Sequence, residues 1–205
     1  MGDYELPNGG ENIATSPEHS DAFLYGAGAQ KIGSIVLPLG APEEQKAIGK
    51  KLMQSFLKKT PGIKKLRDAI QKVLVESSEW VGKEQKIKWK RRHLIGLDGR
   101  KLHIRSPHSA PNTLLQSAGA LICKKWLVQT ERRLTALGLK HGWDGDFAYM
   151  AWVHDEIQVA CRTPEIAEIV ARESQEAMRD TQEFFQFKVR LDTEAKVGSS
   201  WFECH

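Results

Sequence analysis

Two apolar runs separated by a short polar break constrain the fold more than any other part of the sequence. The runs cover residues 147–153 and 157–161, and the break between them is His154, Asp155 and Glu156. Apolar runs of this length joined by so short a break indicate two buried antiparallel strands and a sharp turn. Because adjacent carboxylates repel each other unless a cation neutralises them, Asp155 and Glu156 are candidate magnesium ligands. The alternative is an acidic turn exposed to solvent.

Helix signals dominate the rest of the chain. Capping residues, proline at the first helical position and apolar residues three or four apart mark the starts of helices. The predicted helices begin at Ser16, Pro42, Pro61, Asn112 and Pro164. The alternation around Ile87 and Trp89 indicates a strand, Asp98-Gly99 has the turn chemistry of a hairpin, and residues 188–191 are predicted as a final strand. The fold class is therefore α+β.

The positive charge of the chain is concentrated in one segment. Its cations are Lys83, Lys86, Lys88, Lys90, Arg91, Arg92, Arg100, Lys101 and Arg105. With two acids, Glu84 and Asp98, the segment carries +7, so the rest of the chain carries −3 of the net +4. A concentrated basic patch on a nearly neutral body is typical of a protein that binds a polyanion such as nucleic acid. The alternative is a charged hairpin that is merely solvated.

Polar side chains on the long helix and an aromatic near the N-terminus are further candidate nucleic-acid contacts. Asn112 and Gln116 are four residues apart and share a helix face, where amides could recognise acceptors in a DNA minor groove. Tyr25 beside Gly26 could stack on a base. Each has an alternative without a role in binding. The amides could lie at the solvent-exposed edge of an amphipathic helix, and the tyrosine could be half-buried before a glycine that caps the helix.

Several classes of protein are disfavoured by composition. No apolar run approaches the roughly 20 residues needed to cross a bilayer. The N-terminus lacks the basic and apolar regions of a secretory signal. The three cysteines, Cys123, Cys161 and Cys204, are an odd number without paired spacing, which argues against disulfides and zinc. A reducing, cytoplasmic setting is expected.

Several segments in order resemble family A DNA polymerases, most closely the replicative polymerases of T-odd short-tailed bacteriophages. They are residues 23–28 (FLYGAG), 99–108, 112–120 (NTLLQSAGA), 141–146 (HGWDGD) and 153–156 (VHDE). The resemblance implies a partial polymerase hand, with a helical fingers portion over residues 22–82 and a palm portion over 83–205. That palm would hold an antiparallel sheet and the catalytic β-hairpin. Residues 1–21 do not match the family and are expected to be a separate leader.

The resemblance also implies roles for individual residues. Asp155 matches the palm carboxylate that binds two catalytic magnesium ions, and Glu156 matches its neighbour in the metal site. His154 matches the residue beside the primer terminus. The matches to DNA contacts are Asn112 and Gln116 in the minor groove, Tyr25 at the templating position, and Arg105 on the template backbone. The expected DNA-binding set is completed by Lys88, Lys90, Arg91, Arg92 and Arg100.

Departures from the family pattern indicate an incomplete active centre. The positions of the nucleotide-binding Arg, Lys and aromatic of the fingers helix hold Ile13, Pro17 and Asp21, and the palm motif D-x-S-x-x-E is absent. The expected partners are primer-template DNA, deoxynucleoside triphosphates and an N-terminal polymerase fragment, with no membrane, in an infected bacterial cell. Three hypotheses follow: one subunit of a two-piece polymerase, a DNA-binding module without catalysis, or an inactive remnant.

Overall fold

The structure is a computed structural model that describes residues 27–81 and 84–204. The helix predicted from Ser16 and the residue Tyr25 lie outside this range. The helices are α1 Ala29–Val36, α2 Pro42–Lys59, α3 Pro61–Leu74, α4 Ala110–Ala136, α5 Pro164–Phe185 and α6 Trp201–Cys204. The strands are β1 Val75–Val81, β2 Glu84–Trp89, β3 His93–Ile95, β4 Lys101–His103, β5 Phe147–Val153 and β6 Glu156–Cys161. Each strand pairs with its neighbour as a two-stranded antiparallel sheet, which confirms the α+β class.

The chain divides into two compact units, one reaching Gln116 and the other beginning at Ser117. This division falls within α4 and not near residue 82, where the resemblance placed the end of the fingers portion. The assignment of fingers and palm regions stays a prediction. None of the helices in the described part of the chain combines the length and apolarity of a membrane-crossing segment.

Close packing of α1 on α2 begins the first unit, and α1 was not predicted from the sequence. A Cβ on Gly33 would lie 1.7 Å from the carbonyl oxygen of Gln45, and one on Gly49 would lie 1.7 Å from that of Ala29. Two glycines therefore let the helix backbones approach more closely than any side chain would permit. Ile32 and Phe56 are buried beside this crossing.

The helix starts at proline are confirmed at Pro42, Pro61 and Pro164. Thr163 caps α5 as expected, because its hydroxyl accepts a hydrogen bond from the Ile166 amide at 3.3 Å. Thr60 behaves differently, since its hydroxyl donates to the Phe56 carbonyl at 2.6 Å and so closes α2. Thr60, which precedes α3, thus satisfies a backbone carbonyl in the last turn of α2.

Two small hairpins follow α3 in the first unit. Strand β1 was not predicted, whereas β2 was, with Lys86 and Lys88 exposed and Ile87 and Trp89 half-buried. The Asp98-Gly99 turn between β3 and β4 is confirmed, and the positive φ of Gly99, 79°, suits glycine. The buried core beneath these elements contains Ile70, Leu74, Leu94, Ile104 and Ala110.

In the second unit, β5, β6 and α5 pack against the long helix α4. Trp126 on α4 is buried beside Ala177 and Met178 of α5, and its indole nitrogen donates to the Ser174 carbonyl at 2.7 Å. A second cluster joins Leu134, Phe147 and Val170. One α4 face thus anchors both the hairpin and α5.

The strand predicted over residues 188–191 does not form. The Leu191 amide donates to the side-chain oxygen of Gln182 at 2.7 Å, and the Gln175 side chain donates to the Thr193 carbonyl at 3.2 Å. Leu191 itself packs against the cluster around Trp126. The Leu191 amide at the end of this segment is thus satisfied by a side chain of α5 and not by a neighbouring strand.

Candidate active site and nucleic-acid interface

The β5–β6 hairpin ends in a turn of two residues, His154 and Asp155. Val153 pairs with Glu156, so Glu156 is the first residue of β6. The prediction from the sequence that Glu156 belongs to the turn is wrong. Asp155 is exposed, whereas Glu156 is half-buried. The hairpin predicted from the apolar runs is therefore confirmed, and it presents a single carboxylate at its tip. The prediction that its strands are buried is wrong toward the tip, since Met150, Trp152 and Val153 are exposed.

His154 occupies a backbone conformation that most residues avoid. Its φ is 54°, one of two positive values among non-glycine residues in the described part of the chain. A two-residue hairpin turn requires positive φ at its first central position, which glycine usually supplies. The short turn therefore imposes this conformation on a residue that carries a Cβ.

A β-bulge at Met150 changes which side chains of β5 face the helices. Tyr149 pairs with Val159 and Ala151 pairs with Gln158, so Met150 has no partner in the register. Because cross-strand partners share a sheet face, Trp152, opposite Ile157, lies on the same face as Tyr149. An unbroken alternation would have placed Tyr149 and Trp152 on opposite faces.

The two carboxylates of the hairpin have different surroundings. The side-chain amide of Gln158 donates a hydrogen bond to Oε1 of Glu156. Burial raises the pKa of the Cys123 thiol on α4, and the charge of Asp155 raises it further, so the Asp155 carboxylate acts within electrostatic range of α4. Sequence reasoning missed Gln158, although Gln158 and Glu156 are two residues apart on β6 and such residues share a face of a strand.

The donor atoms at this site suit part of a magnesium site. Magnesium binds through one or two carboxylates and completes its shell with water and phosphate oxygens, and Asp155 with Glu156 supplies such a pair. No group of three or more His, Cys, Asp or Glu residues that could hold a metal occurs within residues 27–81 and 84–204. Asp155 and Glu156 are thus donors of the type that magnesium binds, and the described residues do not form a group of three around them.

The described cations of the basic segment are all exposed. They are Lys86, Lys88, Lys90, Arg91, Arg92, Arg100, Lys101 and Arg105. Lys88 pairs with Glu76 at 3.0 Å, and Lys90 donates to the Lys72 carbonyl at 3.3 Å. The guanidinium of Arg92 stacks 4.9 Å from the Trp89 ring. Arg100 pairs with Asp98 beside the β3–β4 turn. We call this set of eight residues the basic surface.

The two amides of α4 lie one turn apart in the first unit, near the start of the helix. Ser106 and Ser109 organise that start, since their hydroxyls lie 3.1 Å apart and the Ser109 amide donates to Oγ of Ser106 at 3.3 Å. Gln116 is exposed, whereas Asn112 is half-buried and its Oδ1 has no hydrogen-bond partner among the described residues. A buried oxygen without a partner costs about 1–3 kcal/mol, so this oxygen does not stabilise the fold.

The hairpin with its exposed carboxylate belongs to the second unit, and the basic surface and the two helix amides belong to the first. Residues 22–203 match the model of DNA polymerase family A. The chain belongs to this family.

The relatives are DNA-directed DNA polymerases of bacteriophages. The chain is 63% identical to that of Enterobacteria phage T3 and 62% identical to that of Escherichia phage T7, in each case over 89% of the chain and 25% of the relative. A third, from Escherichia phage Phieco32, is 27% identical over 90% of the chain and 26% of the relative. The chain therefore spans about a quarter of the length of these relatives.

Proposed function

We propose that this chain supplies one part of a DNA-directed DNA polymerase that adds deoxynucleotides to a primer 3′-hydroxyl under the direction of a template. The observation that carries the proposal is the exposed Asp155 at the tip of a two-residue turn between β5 and β6. The similarity to polymerases of phages T3 and T7 supports the same reaction and, as the place of action, an infected bacterial cell.

The metal chemistry of the proposed reaction depends on the hairpin. Asp155 would hold two magnesium ions, and Glu156 would contribute to the same site in a lesser role. When bound, such ions lower the pKa of an attacking hydroxyl and stabilise a departing pyrophosphate. The contribution of the chain is to hold the Asp155 carboxylate at a fixed position, with Gln158 orienting the side chain of Glu156. His154 would lie against the primer terminus.

Proposed DNA contacts come from the first unit. The eight cations of the basic surface would neutralise phosphates, and Asn112 and Gln116 would contact the minor groove of the nascent duplex. Arg105 and Tyr25 would contact the template strand. These groups bind and position DNA and do not take part in bond making, so their loss should weaken binding more than chemistry.

The remaining ligands and the phosphate-binding cations of the fingers helix would come from an N-terminal polymerase fragment. Phosphoryl transfer depends mainly on positioning and charge neutralisation, so a missing carboxylate and a missing phosphate clamp cannot be replaced by groups elsewhere. The chain alone is therefore expected to bind primer-template DNA without extending it.

Primer extension tests this proposal directly. The chain is assayed with magnesium and the four deoxynucleoside triphosphates, alone and then with a family A fragment that carries the D-x-S-x-x-E motif and the fingers-helix Arg and Lys. We expect background extension alone and template-dependent extension by the mixture. Extension by the pure chain would contradict the incomplete active centre. No extension by a mixture that forms a complex would contradict the polymerase function.

A second function, DNA binding without catalysis, is favoured by a separate observation, the eight exposed cations of the basic surface. It predicts salt-dependent binding to primer-template DNA by the chain alone, and it also predicts that complementation restores no activity. The extension assay with the fragment therefore separates the two functions.

A further inference from the structure

A tryptophan of β5 holds the turn that carries Asp155. The indole Nε1–H of Trp152 donates a hydrogen bond to the carbonyl oxygen of His154, and the nitrogen lies 2.8 Å from that oxygen. This distance is ideal for an N–H···O bond. The bond joins the last part of β5 to the first residue of the turn and supplements the strand pairing next to it.

Fixing that carbonyl also fixes the start of the next residue. The carbonyl carbon and oxygen of His154 lie in one plane with the nitrogen and Cα of Asp155, because the peptide bond between them is planar. A donor that holds the oxygen therefore restricts the rotation of the whole peptide unit. The direction in which the Asp155 side chain leaves the backbone follows from that restriction.

The conformation of His154 explains why the turn needs such a restraint. Its φ of 54° lies in the left-handed region, which a residue with a Cβ adopts less readily than glycine. A change of φ toward negative values would rotate the peptide between His154 and Asp155. The hydrogen bond from Trp152 opposes that rotation, since it is made only when the carbonyl points toward the indole.

The bulge at Met150 places the indole on the face where it makes this bond. Without the extra residue, Trp152 would lie on the face opposite to Tyr149. Trp152 is 39% exposed, and its N–H is engaged by the His154 carbonyl. Strand register, bulge and indole together set the geometry of the tip.

We propose that Trp152 is a positioning residue for Asp155, holding the His154–Asp155 peptide in the orientation that aims the carboxylate at the metals. The part of this proposal that concerns orientation of the carboxylate toward metals rests on the proposed polymerase function. The restraint on the turn itself is independent of any activity.

Nuclear magnetic resonance on the chain alone tests the restraint. Trp152→Phe removes the N–H donor and keeps an aromatic ring, and Trp143→Phe is the matched control because Trp143 is 79% exposed. In the wild-type chain, we expect the Trp152 indole proton to exchange with solvent at least tenfold more slowly than that of Trp143. The coupling constant that reports φ of His154 should change in Trp152→Phe and stay constant in Trp143→Phe.

An isosteric replacement covers the possibility that Trp152→Phe does not fold. Benzothienylalanine at position 152 keeps the shape of the indole and replaces the N–H by sulfur, so only the donor is lost. An unchanged φ of His154 in this variant, or indole exchange as fast as that of Trp143, would overturn the proposal.

Activity of the complemented polymerase tests the aim of the carboxylate. We expect Trp152→Phe to lower kcat about tenfold, to leave the KM for primer-template unchanged, and to raise the magnesium concentration for half-maximal rate about threefold. A general loss of folded protein would lower the rate without moving the magnesium dependence. If the wild-type mixture is inactive, the polymerase proposal fails and the resonance measurements still decide the restraint. A variant with wild-type kcat and magnesium dependence would contradict the proposal that Trp152 orients the Asp155 carboxylate toward the metals.

Discussion

The guanidinium of Arg133 on α4 donates from Nε to Oε2 of Glu173 on α5 across 2.8 Å. Its Nη1 also donates to Asp180 at 2.9 Å. The Glu173 side chain is only 12% exposed, so this pair stabilises the contact between the two helices of the second unit. Burial alone would raise the pKa of the Glu173 carboxyl, but the hydrogen bonds from Arg133 and Arg172 hold it below its ordinary value.

Replacing Arg133 should therefore destabilise the second unit in a pH-dependent manner. Arg133→Met leaves a largely buried carboxylate without its main partner, and we expect a loss of about 1–3 kcal/mol in the free energy of unfolding at pH 7. Because the folded pKa is depressed, the contribution is present above the unfolded glutamate pKa of about 4.3 and disappears as the pH falls through the lower folded value.

Urea unfolding of the chain at several pH values measures this difference. Arg190→Met is the control, because the pair of Arg190 with Asp192 is 70% and 54% exposed and should contribute less than about 0.5 kcal/mol. An equal loss in both variants, or a loss that persists below pH 3, would show that Arg133 acts through packing alone.

The crossing of α1 and α2 provides a prediction about steric fit. Gly49→Ala would place a Cβ 1.7 Å from the Ala29 carbonyl oxygen, so the helices must separate and the free energy of unfolding should fall by about 1–3 kcal/mol or more. Gly62→Ala near the start of α3 meets nothing within 4 Å and should be neutral or stabilising by up to ~1 kcal/mol. Chemical denaturation of both variants checks the contrast, which is lost if Gly49→Ala is as stable as Gly62→Ala.

The salt dependence of DNA binding tests the basic surface. Reversing Lys88, Lys90, Arg91 and Arg92 to Glu should weaken primer-template binding. The slope of log affinity against log salt should become less steep by up to about 3.6, at ~0.9 for each lost phosphate contact. Fluorescence anisotropy at several salt concentrations measures both quantities.

A matched charge reversal on α2 controls for net charge. Lys50, Lys51, Lys58 and Lys59 are also exposed, and their reversal changes the charge of the chain by the same amount. This variant should retain most of the slope. Equal effects of the two reversals would assign the binding to overall charge and not to the basic surface.

The two carboxylates of the hairpin should differ in importance. In the complemented polymerase, Asp155→Asn keeps the shape of the turn and removes the exposed charge, and we expect at least about a 10³-fold loss in rate, or ~4 kcal/mol at ~1.4 kcal/mol per tenfold. Glu156→Gln should cost much less, because this half-buried carboxyl lies on the strand and bonds Gln158. Single-turnover extension, with DNA binding measured in parallel, gives the ranking. A loss at Glu156 equal to or larger than that at Asp155 would reverse the proposed roles.

Much of the local structure could be predicted from the sequence. Proline at the first helical position set the starts of three helices, and the apolar runs around residues 154–156 set the β5–β6 hairpin. The long helix was expected from Asn112 to near Leu137 and spans Ala110–Ala136. Such signals involve residues close together in the sequence, so these helix starts and this hairpin do not depend on contacts with distant residues. The family could likewise be recognised from motifs of contiguous residues.

The remaining features depend on contacts between distant residues. Residues 188–191 suited a strand, but Gln182 bonds the Leu191 amide and Gln175 bonds the Thr193 carbonyl, and only the folded chain brings these groups together. The turn prediction included Glu156 because composition cannot reveal the bulge at Met150 or the register that follows it.

The sequence by itself thus determined which residues carry charge, where helices begin, and that a carboxylate stands at a hairpin tip. The tertiary structure decided how that carboxylate is held. The hydrogen bond from Trp152 to His154 and the amide of Gln158 on Glu156 depend on strand register and on which face each side chain occupies. A shift of one residue exchanges the faces of a strand, so these contacts are fixed only when pairing, bulge and helix packing are satisfied together.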